Sequence, residues 1–141
     1  MGDRDFDFWV GRWHVRWGDG AEGTNVISKI FDGRVIVEQF DGRPGSGLQG
    51  LSVSVYDAAD HVWRQTWVDS EGNYLPFAGA LNGDVMELRG ERSGELVRML
   101  WRDIKPDSLR WLWQRSPNGG SRWETLWELR YRRLRDELVP R

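Results

Sequence analysis

The sequence predicts an all-β protein: an up-and-down antiparallel barrel of about ten strands, with a short helical turn at its N-terminus. Three observations predict it. Turn signals recur roughly every ten to sixteen residues, side chains between them alternate with period two, and no segment carries the apolar repeat of a long amphipathic helix. Intervals this short leave no room for parallel crossovers, so neighbouring strands are expected to run antiparallel.

The elements follow in order. Asp3 to Val10 reads as a helical turn able to plug one barrel end. The first strand sets Trp13 against Arg12, His14 and Arg16, and Asp19-Gly20 ends it. Asp32-Gly33 and Asp41-Gly42 close the second and third strands, the third carrying Ile36-Val37-Glu38-Gln39-Phe40. Leu51-Ser52-Val53-Ser54-Val55 forms the fourth, stopped by Ala58-Ala59-Asp60. Trp63, Gln65 and Trp67 then alternate with Arg64, Thr66 and Val68 as far as Glu71-Gly72-Asn73. Asn82-Gly83 and Ser93-Gly94 bound the next two strands. Val97, Met99 and Trp101 alternate with Arg98, Leu100 and Arg102 ahead of Pro106-Asp107. Trp111 and Trp113 alternate with Arg110, Leu112 and Gln114 ahead of Asn118-Gly119. In the last strand Trp123, Thr125, Trp127, Leu129 and Tyr131 alternate with Glu124, Leu126, Glu128 and Arg130.

One face is therefore aromatic and the other charged. Closure hides the aromatic face and removes both sheet edges. The outward Arg12, His14 and Arg16 of the first strand are expected to meet the outward Glu124 and Glu128 of the last, an arrangement that selects the register while burial of the indoles drives closure.

Composition narrows the functional classes. The 141 residues suit one domain, and a net charge of -2 supplies no field for a phosphate backbone or an acidic lipid surface. Nucleic-acid and membrane partners are not expected. The chain has no cysteine and two histidines, His14 and His61, which removes disulfides and thiolate chemistry. Residues 1-137 are read as the single domain, and Leu138-Val139-Pro140-Arg141 as a thrombin-site tag remnant. The acidic opening lacks the apolar stretch of a signal peptide, so a cytoplasmic protein is expected. Gly45-Ser46-Gly47-Leu48-Gln49-Gly50 matches a dinucleotide fingerprint, but a strand follows it where that motif requires a helix. Asp3-Arg4-Asp5-Phe6-Asp7 begins like a calcium loop, yet Phe8 and His14 replace the required Gly and Glu. The arginines 130, 132, 133 and 135 read as a solvated strand end.

Phe8-Trp9-Val10-Gly11-Arg12-Trp13, with Gly-x-Trp on the first strand, and the closing Tyr131-Arg132-Arg133 resemble a lipocalin-like, or calycin, barrel. Together with the strand Trp63-Arg64-Gln65-Thr66-Trp67-Val68-Asp69, the opening is similar, over nearly the whole chain, to a family of small bacterial lipocalin-like domains of unknown function. The resemblance implies that Trp13 seals the closed end and that Arg133 packs over it, with Arg132 as the competing choice. A lipocalin has eight strands, and there is no room for a helical lid between Trp17 and Gly23. The lidless ten-stranded barrels of the haem-binding nitrobindin group are the nearer comparison. A haem barrel needs an inward axial ligand, however. His14 follows the inward Trp13, and His61 sits at a hairpin entrance, leaving only Tyr131 or Met99 as substitutes. No cofactor is expected.

Strand direction divides the interior. The closed end is expected to hold Trp13, Trp63, Met86, Trp101, Trp111, Leu129 and Tyr131. The open half collects Trp17, Gln39, Gln65, Trp67, Tyr74, Val97, Met99, Trp113, Arg115, Trp123 and Thr125, flat apolar walls with a few hydrogen-bonding groups. The leading expectation is binding of a small, largely apolar, aromatic-type molecule there. The runner-up is a cofactor-free isomerase or cyclase with Glu38 as acid or base. Ile36 to Phe40 carries apolar residues in both phases, so the sequence leaves the face of Glu38 open. An interaction role would rest on Leu112 and Leu126 as a dimer patch; monomer and homodimer both remain open.

Overall fold

In the computed structural model, which describes residues 2-135, two 3-10 turns, Gly2–Arg4 and Asp7–Trp9, precede ten strands. These are β1 (Gly11–Trp17), β2 (Ala21–Ile30), β3 (Val35–Asp41), β4 (Gln49–Asp57), β5 (Val62–Asp69), β6 (Tyr74–Asn82), β7 (Val85–Arg92), β8 (Glu95–Arg102), β9 (Ser108–Ser116) and β10 (Glu124–Arg133). Each pairs antiparallel with its sequence neighbours, and β1 closes on β10. All nine expected turns fall at or between strand ends. The proposed tag remnant, residues 138-141, lies outside the described residues.

The N-terminal turns explain how one end is stopped. Phe6 and Trp9 are fully buried and stack on each other at 4.8 Å, while both meet Trp101 edge-on, at 5.0 and 5.2 Å. Phe6 also meets the Trp63 ring at 5.3 Å, and the Trp63 indole N–H donates to the Gly2 carbonyl at 3.0 Å. Burial of such large aromatic surfaces is the main favourable contribution. The expected plug is a formed element.

Alternation then sets the inner wall. Trp13 and Val15 on β1, Asn25 and Ile27 on β2, Ile36, Glu38 and Phe40 on β3, and Ser52 and Ser54 on β4 point inward and are buried. The outer wall is charged on β1 and β7 to β10, and largely uncharged on β3 and β4, where Val37, Gln39, Leu51, Val53 and Val55 face out. No helix among the described residues is long and apolar enough to cross a membrane, a statement that leaves strands untouched.

The seam departs from the expected charge pairing. Across it His14 stands opposite Arg132 and Arg16 opposite Arg130, like beside like. The carboxylates pair with other strands: Glu22 of β2 meets His14 Nε2 at 2.6 Å, Glu128 meets Arg110 of β9 at 2.7 Å, and Glu124 meets Arg115 at 3.1 Å. Exposed ion pairs are too weak to choose a register against the burial of Trp13, Val15 and Tyr131 on the same two strands. Nor is there a Leu112 and Leu126 patch. Leu112 is 5% exposed, between Leu100 and Glu128, while Leu126 is 52% exposed at a bulge in β10 between Thr125 and Trp127.

Candidate functional site

Beneath the open end lies a cavity of about 170 Å³. Its walls are Phe40, Trp67, Leu75, Phe77, Met99, Trp111, Trp113, Trp127 and Leu129, with Leu48 from the β3–β4 loop; Glu38 and Tyr131 also line it, and Asp69, Glu71, Asn73 and Arg92 belong to strand ends and loops at the mouth. The rings hold one another nearly perpendicular. Trp127 meets Trp111 at 5.7 Å and 88° and Phe40 at 5.9 Å and 87°, while Phe77 meets Trp113 at 6.0 Å and 81°. Edge-to-face contacts of this kind fix ring planes and make flat, rigid walls.

Trp67 takes its place through its neighbours. Its indole N–H donates to Asp69 Oδ2 at 2.8 Å, and a side chain on Gly50, directly beneath the indole, would collide with the ring. The Asp69 carboxylate also accepts from the Asn73 amide and from the backbone N–H groups of Glu71 and Asn73. Partial burial pushes its pKa up, but these hydrogen bonds outweigh that and hold it below the usual value.

The polar floor joins four strands. Glu38 on β3 is directly opposite Ser52 on β4, and Ser52 Oγ donates to Glu38 Oε1 at 2.7 Å. From β2, the Asn25 amide nitrogen donates both to Glu38 Oε2 at 2.7 Å and to the Tyr131 hydroxyl oxygen at 2.8 Å. Asn25 is fully buried and its amide oxygen has no partner among the described residues. Burial pushes the Glu38 carboxyl above its ordinary value of 4.5, against the lowering effect of the Asn25 and Ser52 hydrogen bonds. Burial, and then the nearby Glu38 charge, raise the Tyr131 phenol well beyond the usual range. This is a carboxyl and a phenol both biased toward their neutral, proton-bearing forms.

Of the expected site residues, Trp67, Met99 and Trp113 line the cavity, as does Glu38, whose face the sequence left open. Val97 points inward and is buried but does not line it; Trp17 packs on Trp127 at 5.3 Å nearby. Gln65 is inward and buried, and its amide nitrogen donates to Ser54 Oγ at 3.0 Å, away from the cavity lining. Arg115 lies at the rim, held by Glu95 and Glu124.

Four inward placements are corrected. Gln39 is exposed because Glu38 and Phe40 take the inner phase of β3, and Tyr74 is 65% exposed because Leu75 and Phe77 take that of β6. The bulge in β10 shifts the phase between Thr125 and Trp127. Thr125 therefore stands opposite Gln114 and accepts from its amide at 3.0 Å, on the outer wall. Trp123 lies with the guanidinium of Arg98, 4.0 Å from its ring, on the same outer side. Trp111, Leu129 and Tyr131, expected at the closed end, line the cavity instead.

Sequence reasoning missed Phe40, Leu75, Phe77, Trp127, Asn25 and Ser52. Two signals were available: Leu75, Phe77, Gly79 and Leu81 recur at every second residue of β6, and Gly23, Asn25 and Ile27 do so on β2. Nothing local marks the partnership of Asn25 with Tyr131, 106 residues away.

No imidazole of the described residues faces the cavity, where an axial haem ligand would have to stand. His14 is on the outer wall with Glu22, His61 is at the exposed β4–β5 turn, and the Tyr131 hydroxyl is already engaged by Asn25. Among the described residues no cluster of three or more metal-ligating side chains occurs.

The fold and the cavity together define a class: a closed ten-stranded antiparallel barrel with an aromatic-walled pocket under its open end. No protein-family model and no curated protein matches the chain.

Proposed function

We propose that the barrel binds a small, flat, largely apolar molecule between its aromatic walls. The observation that carries this reading is the cavity itself, walled by four indoles and ending on the Glu38 and Tyr131 pair. Pockets that combine apolar walls with a few convergent polar groups are the usual form of small-molecule sites. The same reading makes the chain a calycin-type barrel of the small bacterial lipocalin-like kind, supported by Gly11-Arg12-Trp13 and by Arg133 lying over Trp13. A charge-bearing outer wall on half the strands suits the aqueous cytoplasm. Native mass spectrometry of protein taken from its own cells tests the proposal, with retention of a small organic molecule as the expected result. Titration with a naphthalene-sized environment-sensitive fluorophore should quench tryptophan emission, with a Kd on the order of micromolar. Loss of neither emission nor probe mobility at millimolar probe would overturn it.

A second reading is favoured by one observation, the inward, cavity-lining position of Glu38. A cofactor-free isomerase or cyclase needs one group that takes a proton and returns it elsewhere, and a carboxyl with a raised pKa serves at neutral pH. Exchange of solvent deuterium into the carbon acid 2-tetralone tests this. Acceleration by the protein, lost in Glu38→Gln, is expected; exchange independent of Glu38 returns the site to binding alone.

A further inference from the structure

The proton inventory of the floor restricts what the cavity can hold. The Asn25 amide nitrogen has two hydrogens, and both are used, one on Glu38 Oε2 and one on the Tyr131 oxygen. The Ser52 hydroxyl hydrogen goes to Glu38 Oε1. The Tyr131 hydroxyl hydrogen is left over, together with that of the Glu38 carboxyl in its neutral form. Tyr131 carries its own hydroxyl proton, and its oxygen accepts from Asn25 while no hydrogen bond donated by the hydroxyl is found among the described residues. The residue is 3% exposed and lines the cavity. A buried donor without an acceptor is costly, and the polar groups of a binding site commonly find their partner in the ligand.

Resting on the binding reading above, we infer that the occupant carries a carbonyl-type oxygen that accepts the Tyr131 hydroxyl hydrogen, with its flat apolar body between Trp111, Trp113 and Trp127. The ligand class is thus a small planar ketone, aldehyde, quinone or lactone. A pure hydrocarbon fills the walls and leaves the donor unpaired. An occupant bearing only donors finds the phenol poorly placed, because the oxygen of Tyr131 already accepts from Asn25. Glu38 stands beside the same oxygen position, where its carboxyl adds a second polar contact and where proton transfer at the neighbouring carbon of a carbonyl compound would begin.

Indane and 1-indanone differ by this oxygen and little else, which makes them a matched pair. The intact protein should bind both, with 1-indanone about tenfold tighter, the scale of one hydrogen bond. Tyr131→Phe should abolish the difference and leave indane unchanged. The carbonyl stretch of bound 1-indanone should move to lower frequency in the unsubstituted protein, which reports the same contact without any variant. Uniform incorporation of 3-fluorotyrosine, a stronger donor, should move it further, since the other two tyrosines, Tyr56 and Tyr74, do not line the cavity. Equal affinity for the two compounds, or an unshifted stretch, overturns the inference and leaves the cavity reading standing. A difference that survives Tyr131→Phe but is lost in Glu38→Gln assigns the contact to the carboxyl and overturns it as well. Binding of neither compound removes the cavity reading and this inference together.

Discussion

The guanidinium of Arg133 lies 4.2 Å from the centre of the Trp13 ring and donates to three carbonyls around it: Val10 at 2.7 Å, Pro106 at 2.9 Å and Phe8 at 3.1 Å. The two residues stand directly opposite each other across the β1–β10 seam. Gly11 makes the arrangement possible. Its φ of +143° belongs to the region glycine favours, and a Cβ there would collide with the guanidinium. One cation thus ties the N-terminal plug, the β8–β9 loop and the closure of the barrel. Arg132, its neighbour, faces outward beside His14.

Arg133→Lys should therefore destabilise the fold by about 1 to 3 kcal/mol although the charge is kept, because an ammonium cannot present the planar fork that reaches three carbonyls and covers an indole. Urea unfolding measures it. A loss within 0.5 kcal/mol or so, the scale of ordinary surface changes, would mean that the charge alone suffices.

Trp13 and Trp113 separate the two ends of the barrel. Trp13 is fully buried and its indole N–H donates to the Trp9 carbonyl at 2.8 Å. Trp13→Ala should cost about 3 to 5 kcal/mol. Trp113→Ala, which enlarges an existing cavity rather than opening a new void, should cost less but weaken aromatic-probe binding. Equal stability losses in urea would contradict this division.

Stability should depend on pH through Glu38 in a definite direction. Burial raises its pKa in the folded state, so the folded protein holds this proton more tightly than the unfolded chain. The contribution is fully favourable below the ordinary value near 4.5 and is lost as pH rises through the raised value. Glu38→Gln removes the loss, so the stability of the variant relative to the parent should increase between pH 5 and pH 8. Comparing the two proteins cancels the opposite contributions of Asp57, Asp69 and Glu87, whose values are lowered. A difference that stays flat in urea unfolding at the two pH values would show that the carboxyl titrates alike in both states.

The Trp67 wall should be adjustable from behind. Gly50→Ala forces the indole off its seat toward the cavity, and Trp67→Ala removes it. Both should weaken binding of the fluorescent probe, the second by up to roughly tenfold. Gln65→Leu should leave probe affinity unchanged, because the amide is bonded to Ser54 away from the cavity lining. Calorimetric titration of the three folded variants checks the order, and a large effect at Gln65 would relocate the site.

Turn chemistry and alternation made the architecture legible, because both act within a few residues. Asn82-Gly83 can do little but turn, with Gly83 at a φ of +66°, and Trp63, Gln65 and Trp67 cannot avoid sharing a face. Nine such turns around strands with one aromatic face determine a closed antiparallel barrel. What the sequence left undecided sits where local rules balance or slip. On β3 apolar residues occupy both phases, and only packing of Ile36 and Phe40 into the core turns Glu38 inward and Gln39 out. On β10 one extra residue at Leu126 reverses the phase, sending Thr125 and Trp123 to the outer wall while Trp127 enters the cavity. Seam charges were assigned by complementarity, yet the register obeyed burial, since exposed ion pairs offer tenths of a kcal/mol against several for a buried indole. The floor of the site is the clearest case. Asn25, Glu38, Ser52 and Tyr131 come from four strands and become one hydrogen-bonded group only after the sheet has closed, because β10 reaches β2 through β1.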